Sequence, residues 1–365
     1  MLRIGIGFGL NRGGVLPPIS AYPNWQTNDL DGSIFLNALA NDVQAFNQDE
    51  TELIGDFSGT GKWRGSVIAN NGKIYCVPNN STQILVIDPT DNSTELIGDF
   101  SGSGKWAGAV LATNGKIYCV PSNSTQILVI DPTDNSTELI GDFSGLDKWR
   151  GAVVAPNGKI YCVPYEESTQ ILVIDPTDNS TELIGDFSDR FKWVGAVLSP
   201  NGKIYCVPFR SNQILIIDPS DNSTELVGSF SGDDKWFGAV LAPNGKIYCV
   251  PSNSTQILII DPTDNSTELI GDFSGTGKYR GAVLAPNGKI YCVPRDLTQI
   301  LVIDPTDNST ELIGDFSGTG KWLGATLANN GKLYFVPNNS TQILVIGESG
   351  TQDNNKVLSR YLNKF

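Results

Sequence analysis

Between residues 50 and 347 the chain alternates short apolar runs with polar breaks. In one stretch, Trp149 to Ala155 is mainly apolar, Pro156-Asn157-Gly158 interrupts it, and Lys159 to Val163 and Gln170 to Ile174 form the next two runs. Asp175-Pro176-Thr177-Asp178-Asn179 breaks the pattern again before Thr181 to Phe187. Runs this short, rich in Val, Ile, Leu and Tyr and bounded by Asn-Gly and Asp-Pro, predict strands joined by tight turns. The stretch therefore predicts four antiparallel strands, A to D. No apolar run approaches the ~20 residues of a membrane-spanning helix.

The four-strand unit recurs. Gly-Lys-Ile-Tyr-Cys-Val-Pro begins at Gly72, Gly115, Gly158, Gly202, Gly245 and Gly288, and returns as Gly-Lys-Leu-Tyr-Phe-Val-Pro from Gly331. Trp63, Trp106, Trp149, Trp193, Trp236, Tyr279 and Trp322 keep the same beat of 43 or 44 residues. Four strands every ~40–45 residues is the period of a propeller blade. The repeats open on a lone D-type segment, Thr51-Glu52-Leu53-Ile54-Gly55-Asp56-Phe57, and the last copy supplies only A, B and C before Gly347. The expectation is an all-β, closed seven-bladed β-propeller whose last blade is completed by the N-terminal D strand, which removes an open sheet edge. The predicted organisation is an attachment segment over 1–49, the propeller over 50–347 and a tail over 348–365.

The run Ala-Pro-Asn-Gly-Lys-Ile-Tyr-Cys-Val-Pro from Ala155, followed by Gln-Ile-Leu-Val-Ile-Asp-Pro from Gln170, resembles the YVTN and NHL propeller repeats. The resemblance covers about four fifths of the chain and implies fold more than function, since propellers host many roles. The Trp-Asp dipeptide of WD40 blades and the paired glycines of kelch blades are absent.

Composition narrows the chemistry. The 365 residues contain no His, which removes Ser-His-Asp triads, Cys-His pairs and His-ligated metals. A net charge of −14 disfavours general nucleic-acid binding. The N-terminus lacks the apolar stretch and cleavage site of a signal peptide. Six cysteines, Cys76, Cys119, Cys162, Cys206, Cys249 and Cys292, hold one B-strand position, one per blade, too far apart for disulfides. The seventh blade has Phe335 there, so buried free thiols are expected. The Trp ring is expected to pack between blades, with a sugar-stacking platform as the alternative. The Asp-Pro-Thr-Asp turns are expected to be turn chemistry, with cation binding as the alternative. No metal or cofactor site is expected. Gly5-Ile6-Gly7-Phe8-Gly9 fails the dinucleotide-binding spacing.

Because the copies are nearly identical, their departures stand out. The A–B and C–D turns hardly vary, whereas the D–A and B–C loops do, and in an up-and-down blade these two loops share a face. Blades three to five differ most: Tyr165, Glu166 and Glu167; Asp189, Arg190 and Phe191; Phe209 and Arg210. Arg295 departs in blade six, and the residue after each ring aromatic varies, giving Arg150, Phe237 and Arg280 among others. Thirteen basic residues against seven acids on these loops predict a face of +6 on an acidic body. Such a face suits an anionic partner or a polysaccharide. The competing reading is loop drift.

The opening, Met1 to Gly14, resembles the glycine-rich starts of small bacteriophage virion proteins. That resemblance implies attachment to a particle through Leu2, Ile4, Ile6 and Phe8; in the tail, Leu358, Tyr361, Leu362 and Phe365 recur at helical intervals and predict a helical second attachment stripe. Function is accordingly expected to be that of a non-enzymatic, tail-associated virion protein, several copies per particle, made in the host cytoplasm. Its partners would be other virion proteins through the termini and a host-surface glycan or protein through the variable face. The alternatives are a capsid decoration protein and a cell-surface or secreted adhesion propeller. A polysaccharide-cleaving enzyme built on Glu166, Glu167, Asp189, Arg190 and Arg210 is less favoured.

Overall fold

A computed structural model describes residues 50–347, and every strand in it belongs to a blade. The first blade consists of β2 (Trp63–Ile68), β3 (Ile74–Pro78), β4 (Ile84–Asp88) and β5 (Ser93–Ile97), hydrogen-bonded in that order. Five blades repeat it: β6 (Trp106–Leu111) to β9 (Ser136–Ile140), β10 (Trp149–Val154) to β13 (Ser180–Ile184), β14 (Trp193–Leu198) to β17 (Ser223–Val227), β18 (Trp236–Leu241) to β21 (Ser266–Ile270), and β22 (Tyr279–Leu284) to β25 (Ser309–Ile313). The seventh is β26 (Trp322–Leu327), β27 (Leu333–Pro337) and β28 (Ile343–Ile346), completed by β1 (Thr51–Ile54). β1 pairs antiparallel with β28, Thr51 opposite Ile346 and Ile54 opposite Ile343, so the ring closes as the sequence predicts.

The strands differ from expectation at their ends. The D strand of the third blade stops at Ile184, not Phe187, because Gly185 turns the chain at φ 77°. Its B and C strands run one residue further, to Pro164 and Asp175. Strand A carries a register shift between Trp149 and Ala152, a bulge reproduced in every blade. Its cause lies at the axis. Gly151 adopts φ 86°, and a Cβ there would stand 2.8 Å from the Cα of Gly195. Gly65, Gly108, Gly151, Gly195, Gly238, Gly281 and Gly324 each approach the next in this way, and Gly324 returns to Gly65. Only glycine lets seven inner strands crowd so closely.

The core lies between blades. Tyr75, Val77, Ile84 and Val86 of the first blade pack with Trp106, Ile117, Cys119, Leu128 and Ile130 of the second, and equivalent clusters repeat around the ring. The six cysteines are buried free thiols in these seams, and Phe335 fills the same place in the seventh blade. Each indole is buried as well. Trp63 is 2% exposed, donates its Nε1–H to the Gln83 carbonyl at 2.8 Å, and meets Phe57 edge-on at 5.3 Å. Sugar stacking on these rings is thus closed off by burial.

On the A–B/C–D face, Asp175 Oδ1 accepts hydrogen bonds from the Thr177 amide and hydroxyl, and Asp178 Oδ1 accepts from the Ser180 amide. These are turn contacts. Tyr118 then donates its hydroxyl to Asn179 of the next blade at 2.7 Å, while Asn114 reaches the Pro176 carbonyl at 2.8 Å. Among the described residues the clip repeats at six junctions. The two ends of the ring meet within the seventh blade, where β1 pairs with β28.

Candidate binding site at the axial mouth

The D–A and B–C loops meet on the opposite face, held by a lysine at each seam. Lys105 is buried and donates its ammonium hydrogens to the carbonyls of Asn79, Ser81 and Gly102 at 2.8–3.0 Å, tying one blade's B–C loop to the next blade's D–A loop. Lys62, Lys148, Lys192, Lys235, Lys278 and Lys321 are buried in the same way. Burial pulls Lys62, Lys148, Lys192, Lys235 and Lys278 down to about 8, so they remain charged at neutral pH. The net charge of the face is thus kept, but the share of it open to a partner is smaller than the sequence suggests. Seven of its thirteen basic groups are internal fasteners, which leaves six arginines against seven carboxylates.

A second fastener sits beside the lysines. Asn80 Oδ1 accepts the Gly104 amide at 2.8 Å, and Asn123, Asn253, Asp296 and Asn339 repeat the contact at four other seams. The two exceptions lie between blades three and four and between blades four and five. There Glu166 and Arg210 occupy the Asn position. Nearby, Gly61, Gly104, Gly277 and Gly320 have counterparts in Asp147, Phe191 and Asp234, which still adopt left-handed φ of 47°, 54° and 52°. A bulky aromatic in that region is strained.

These departures are coupled. Asp147 pairs with Arg150 at 2.6 Å, and the Arg150 guanidinium lies 3.7 Å from the Tyr165 ring centre. Arg210 stacks over Phe191 at 4.3 Å while its Nε donates to Asp234 at 2.6 Å. Tyr165, Phe209, Phe237, Val194 and Leu323 form one apolar cluster with Phe191 packed against it.

The residues after the ring aromatics encircle the axis. Arg64, Ala107, Arg150, Val194, Phe237, Arg280 and Leu323, with the glycine ring, line an open cavity of about 120 Å³. Arg280 lies 4.7 Å from the Phe237 ring centre, and Arg64 of the first blade reaches the same ring of the fifth blade at 5.7 Å. Arg64 and Arg280 have no hydrogen bond or ion pair to any described residue. Burial first, then the charges of Arg150 and Arg280, hold the Arg64 guanidinium well below its ordinary pKa. Burial, then Arg295 and Arg150, lowers Arg280 to about 10. Guanidinium groups keep their protons in proteins, so the cost persists, first as charge taken from water and then as mutual repulsion.

Of the residues singled out from sequence, the structure gathers Arg150, Tyr165, Phe191, Phe209, Arg210, Phe237 and Arg280 at this mouth. Arg295 instead pairs with its neighbour Asp296. Glu167 accepts the Leu146 amide at 2.6 Å on the rim of the third blade. Glu166 is half-buried, and desolvation and Asp147 push its carboxyl pKa up. The Asp189 carbonyl accepts from Lys192, and Arg190 is exposed. Arg64, Val194 and Leu323 also line the mouth; the sequence shows them in the variable series after the ring aromatics, but not among the candidate site residues. The attachment residues Leu2, Ile4, Ile6, Phe8, Leu358, Tyr361, Leu362 and Phe365 lie outside the described residues.

No family model matches the chain, and a search of curated proteins returned no match. Solved structures do match in fold. Virginiamycin B lyase from Staphylococcus aureus superposes with a TM-score of 0.72 at 11% identity, covering 82% of this chain and 99% of the lyase. A catalytically inactive variant of that lyase with quinupristin, a histidine replaced by alanine, gives 0.71 at 12% identity over 82% and 100%. The extracellular domain of a one-component system from B. thetaiotaomicron gives 0.65 at 10% identity, covering 83% of this chain and 41% of that one. The fold is a seven-bladed β-propeller. The expectation that the chain is not an enzyme is corrected: an enzyme is built on this same ring, so the architecture gives no ground for setting catalysis aside. The lyase histidine itself has no counterpart, because this chain contains none.

Proposed function

We propose that the D–A/B–C mouth of the ring is a recognition surface for a host-surface glycan or protein, carried on a virion, in the first instance a tail. The observation that carries this reading is the coupling of the departures. Unrestrained drift changes loop positions independently. Here Asp147 meets Arg150, Arg150 meets Tyr165, and Arg210 joins Phe191 to Asp234, across three consecutive blades. The opposite face keeps one turn sequence with little change. Arg and aromatic side chains are the residue types that dominate binding surfaces. The resemblance of the opening residues to phage virion proteins supports the carrier, with the termini as attachment segments. The likeness of the ring to extracellular domains of one- and two-component systems favours a second carrier, a cell surface.

Two experiments test this. Peptide mass spectrometry on purified particles should find the chain in fixed stoichiometry; its absence there, with the chain on cells, selects the second carrier. Replacing Arg150, Arg190 and Arg210 with Ala should weaken binding to host cells at least tenfold with the ring still folded. Replacing Asp131 and Asp261 on the other face should leave binding unchanged, and an equal loss would reject the surface.

A further inference from the structure

We infer that the axial mouth seats one oxyanion, a carboxylate, sulfate or phosphate group of the ligand, between Arg64, Arg150 and Arg280. The inference rests on the mouth being a recognition surface and names the chemistry that surface takes.

Three observations converge on it. The three arginines come from blades one, three and six, yet all line the same cavity at the end of the glycine-ringed axis. Among the described residues only one carboxylate, Asp147, pairs with any of them. Arg64 and Arg280, both half-buried, make no hydrogen bond or ion pair to any described residue. Buried donors ordinarily have partners, and an exception calls for a missing acceptor.

The aromatic contacts do not remove this demand. Phe237 lies beside both Arg64 and Arg280, and Tyr165 beside Arg150. Ring faces attract a cation without neutralising it. They do hold the guanidinium planes in place, which limits the side-chain entropy lost when an anion arrives. A guanidinium fork matches the spacing of two oxygens on one carboxylate, sulfate or phosphate. A cavity of about 120 Å³ has room for such a group or for several waters; because its walls are apolar, the anion would sit at the rim and meet the guanidinium ends there. The apolar cluster of Tyr165, Phe209, Phe237, Val194 and Leu323 at the same mouth suits the carbon body attached to the anion. An acidic sugar combines both features.

The test is titration calorimetry with inorganic sulfate and with glucuronate, against methyl glucoside, at constant ionic strength. Saturable heat is the readout because sulfate also stabilises proteins by exclusion from their surface. Sulfate and glucuronate should bind the full chain saturably and methyl glucoside should not. The double variant Arg64→Met, Arg280→Met should bind at least tenfold more weakly. It keeps the alkyl stems and removes repulsion, so its unfolding midpoint should not fall. Arg280→Lys, which keeps the charge, should lose less than Arg280→Gln. Lys116→Gln on the opposite face should bind as the parent does. Absence of saturable heat in the parent, or equal binding by the double variant, overturns the inference. Host-cell binding separates it from the reading beneath it. Cell binding that depends on the variable loops but resists excess sulfate removes the oxyanion seat and leaves the surface. Normal sulfate binding with cell binding indifferent to Arg150, Arg190 and Arg210 does the reverse.

Discussion

The two faces of the ring solve the same problem differently. Both must tie each blade to the next. The A–B/C–D face does so with one neutral clip, a tyrosine hydroxyl on an asparagine held at left-handed φ, the same at six junctions among the described residues. The D–A/B–C face uses a buried ammonium on backbone carbonyls, an attachment that asks nothing of the side chains in the loops it joins. Carbonyl acceptors survive any substitution, so the loops could diversify while the seam held. That is why one face is uniform and the other carries Tyr165, Phe191, Phe209 and Arg210.

The largest expected effect separates the crowded axis from the uniform face. Gly151 and Gly202 have similar backbone angles, φ 86° and 81°. A Cβ on Gly151 would lie 2.8 Å from the Gly195 Cα, whereas nothing lies within 4 Å of one on Gly202. Gly202→Ala should therefore cost only the left-handed conformation, about 1–2 kcal/mol. Gly151→Ala should cost that and a backbone displacement, about 3 kcal/mol or more in total. Urea unfolding of both variants checks this, and equal costs would mean the inner strands can part without penalty.

Next is the lysine seam. Lys148→Met keeps the buried stem but leaves the carbonyls of Ser122, Ser124 and Gly145 without their shared donor. The expected cost is about 3 kcal/mol. Asn179→Gly, which preserves the left-handed turn and removes one neutral acceptor from Tyr118, should cost about 1 kcal/mol. The reverse order would mean that the neutral clips carry the ring.

How far the sequence shows this depends on the residue. The blades, the β1–β28 closure and the glycine ring are legible because period, turn chemistry and Gly placement are local signals. The shared face of the variable loops follows from strand alternation alone. The seven lysines were misjudged because a lysine in a polar loop looks solvated. The available clue was that Lys persists before each ring aromatic while the loop around it changes from Thr60-Gly61 to Arg190-Phe191. Arg64 shows in the sequence only as one member of the variable series after the ring aromatics; its reach to the Phe237 ring of the fifth blade is a relation no spacing in the chain displays.

The alkaline response should show the thiols and the lysines opposing one another. Five lysines titrate near 8 in the native ring and near 10.5 when unfolded. Between those values the unfolded chain holds more protons, so their contribution to stability rises with pH. Burial pushes all six thiols up, so above about pH 8.5 the native ring holds more protons than the unfolded chain, and their contribution falls. Stability should stay nearly level from about pH 8.5 to 10.5 and drop beyond it, where only the falling contribution remains. Urea midpoints across pH 8 to 11.5 measure this; a steady decline from pH 8.5 would show that the carbonyl acceptors keep the lysines charged throughout.

The smallest effect tests where the conserved frame ends and the mouth begins. Six blades place a Trp whose indole donates to a Gln carbonyl, and the sixth has Tyr279, with its hydroxyl buried and without a partner. If Tyr279 is only a flawed copy of the frame, Tyr279→Trp restores a donor for the Gln299 carbonyl, removes the orphaned hydroxyl and stabilises the ring by about 1 kcal/mol. Ligand binding should then be untouched. If instead the smaller ring belongs to the mouth, by setting the position of Arg280 next to it, the same change should weaken sulfate binding even as stability rises. Measured together on one variant, the two quantities decide whether the coupled departures stop at the arginines or extend into the seam behind them.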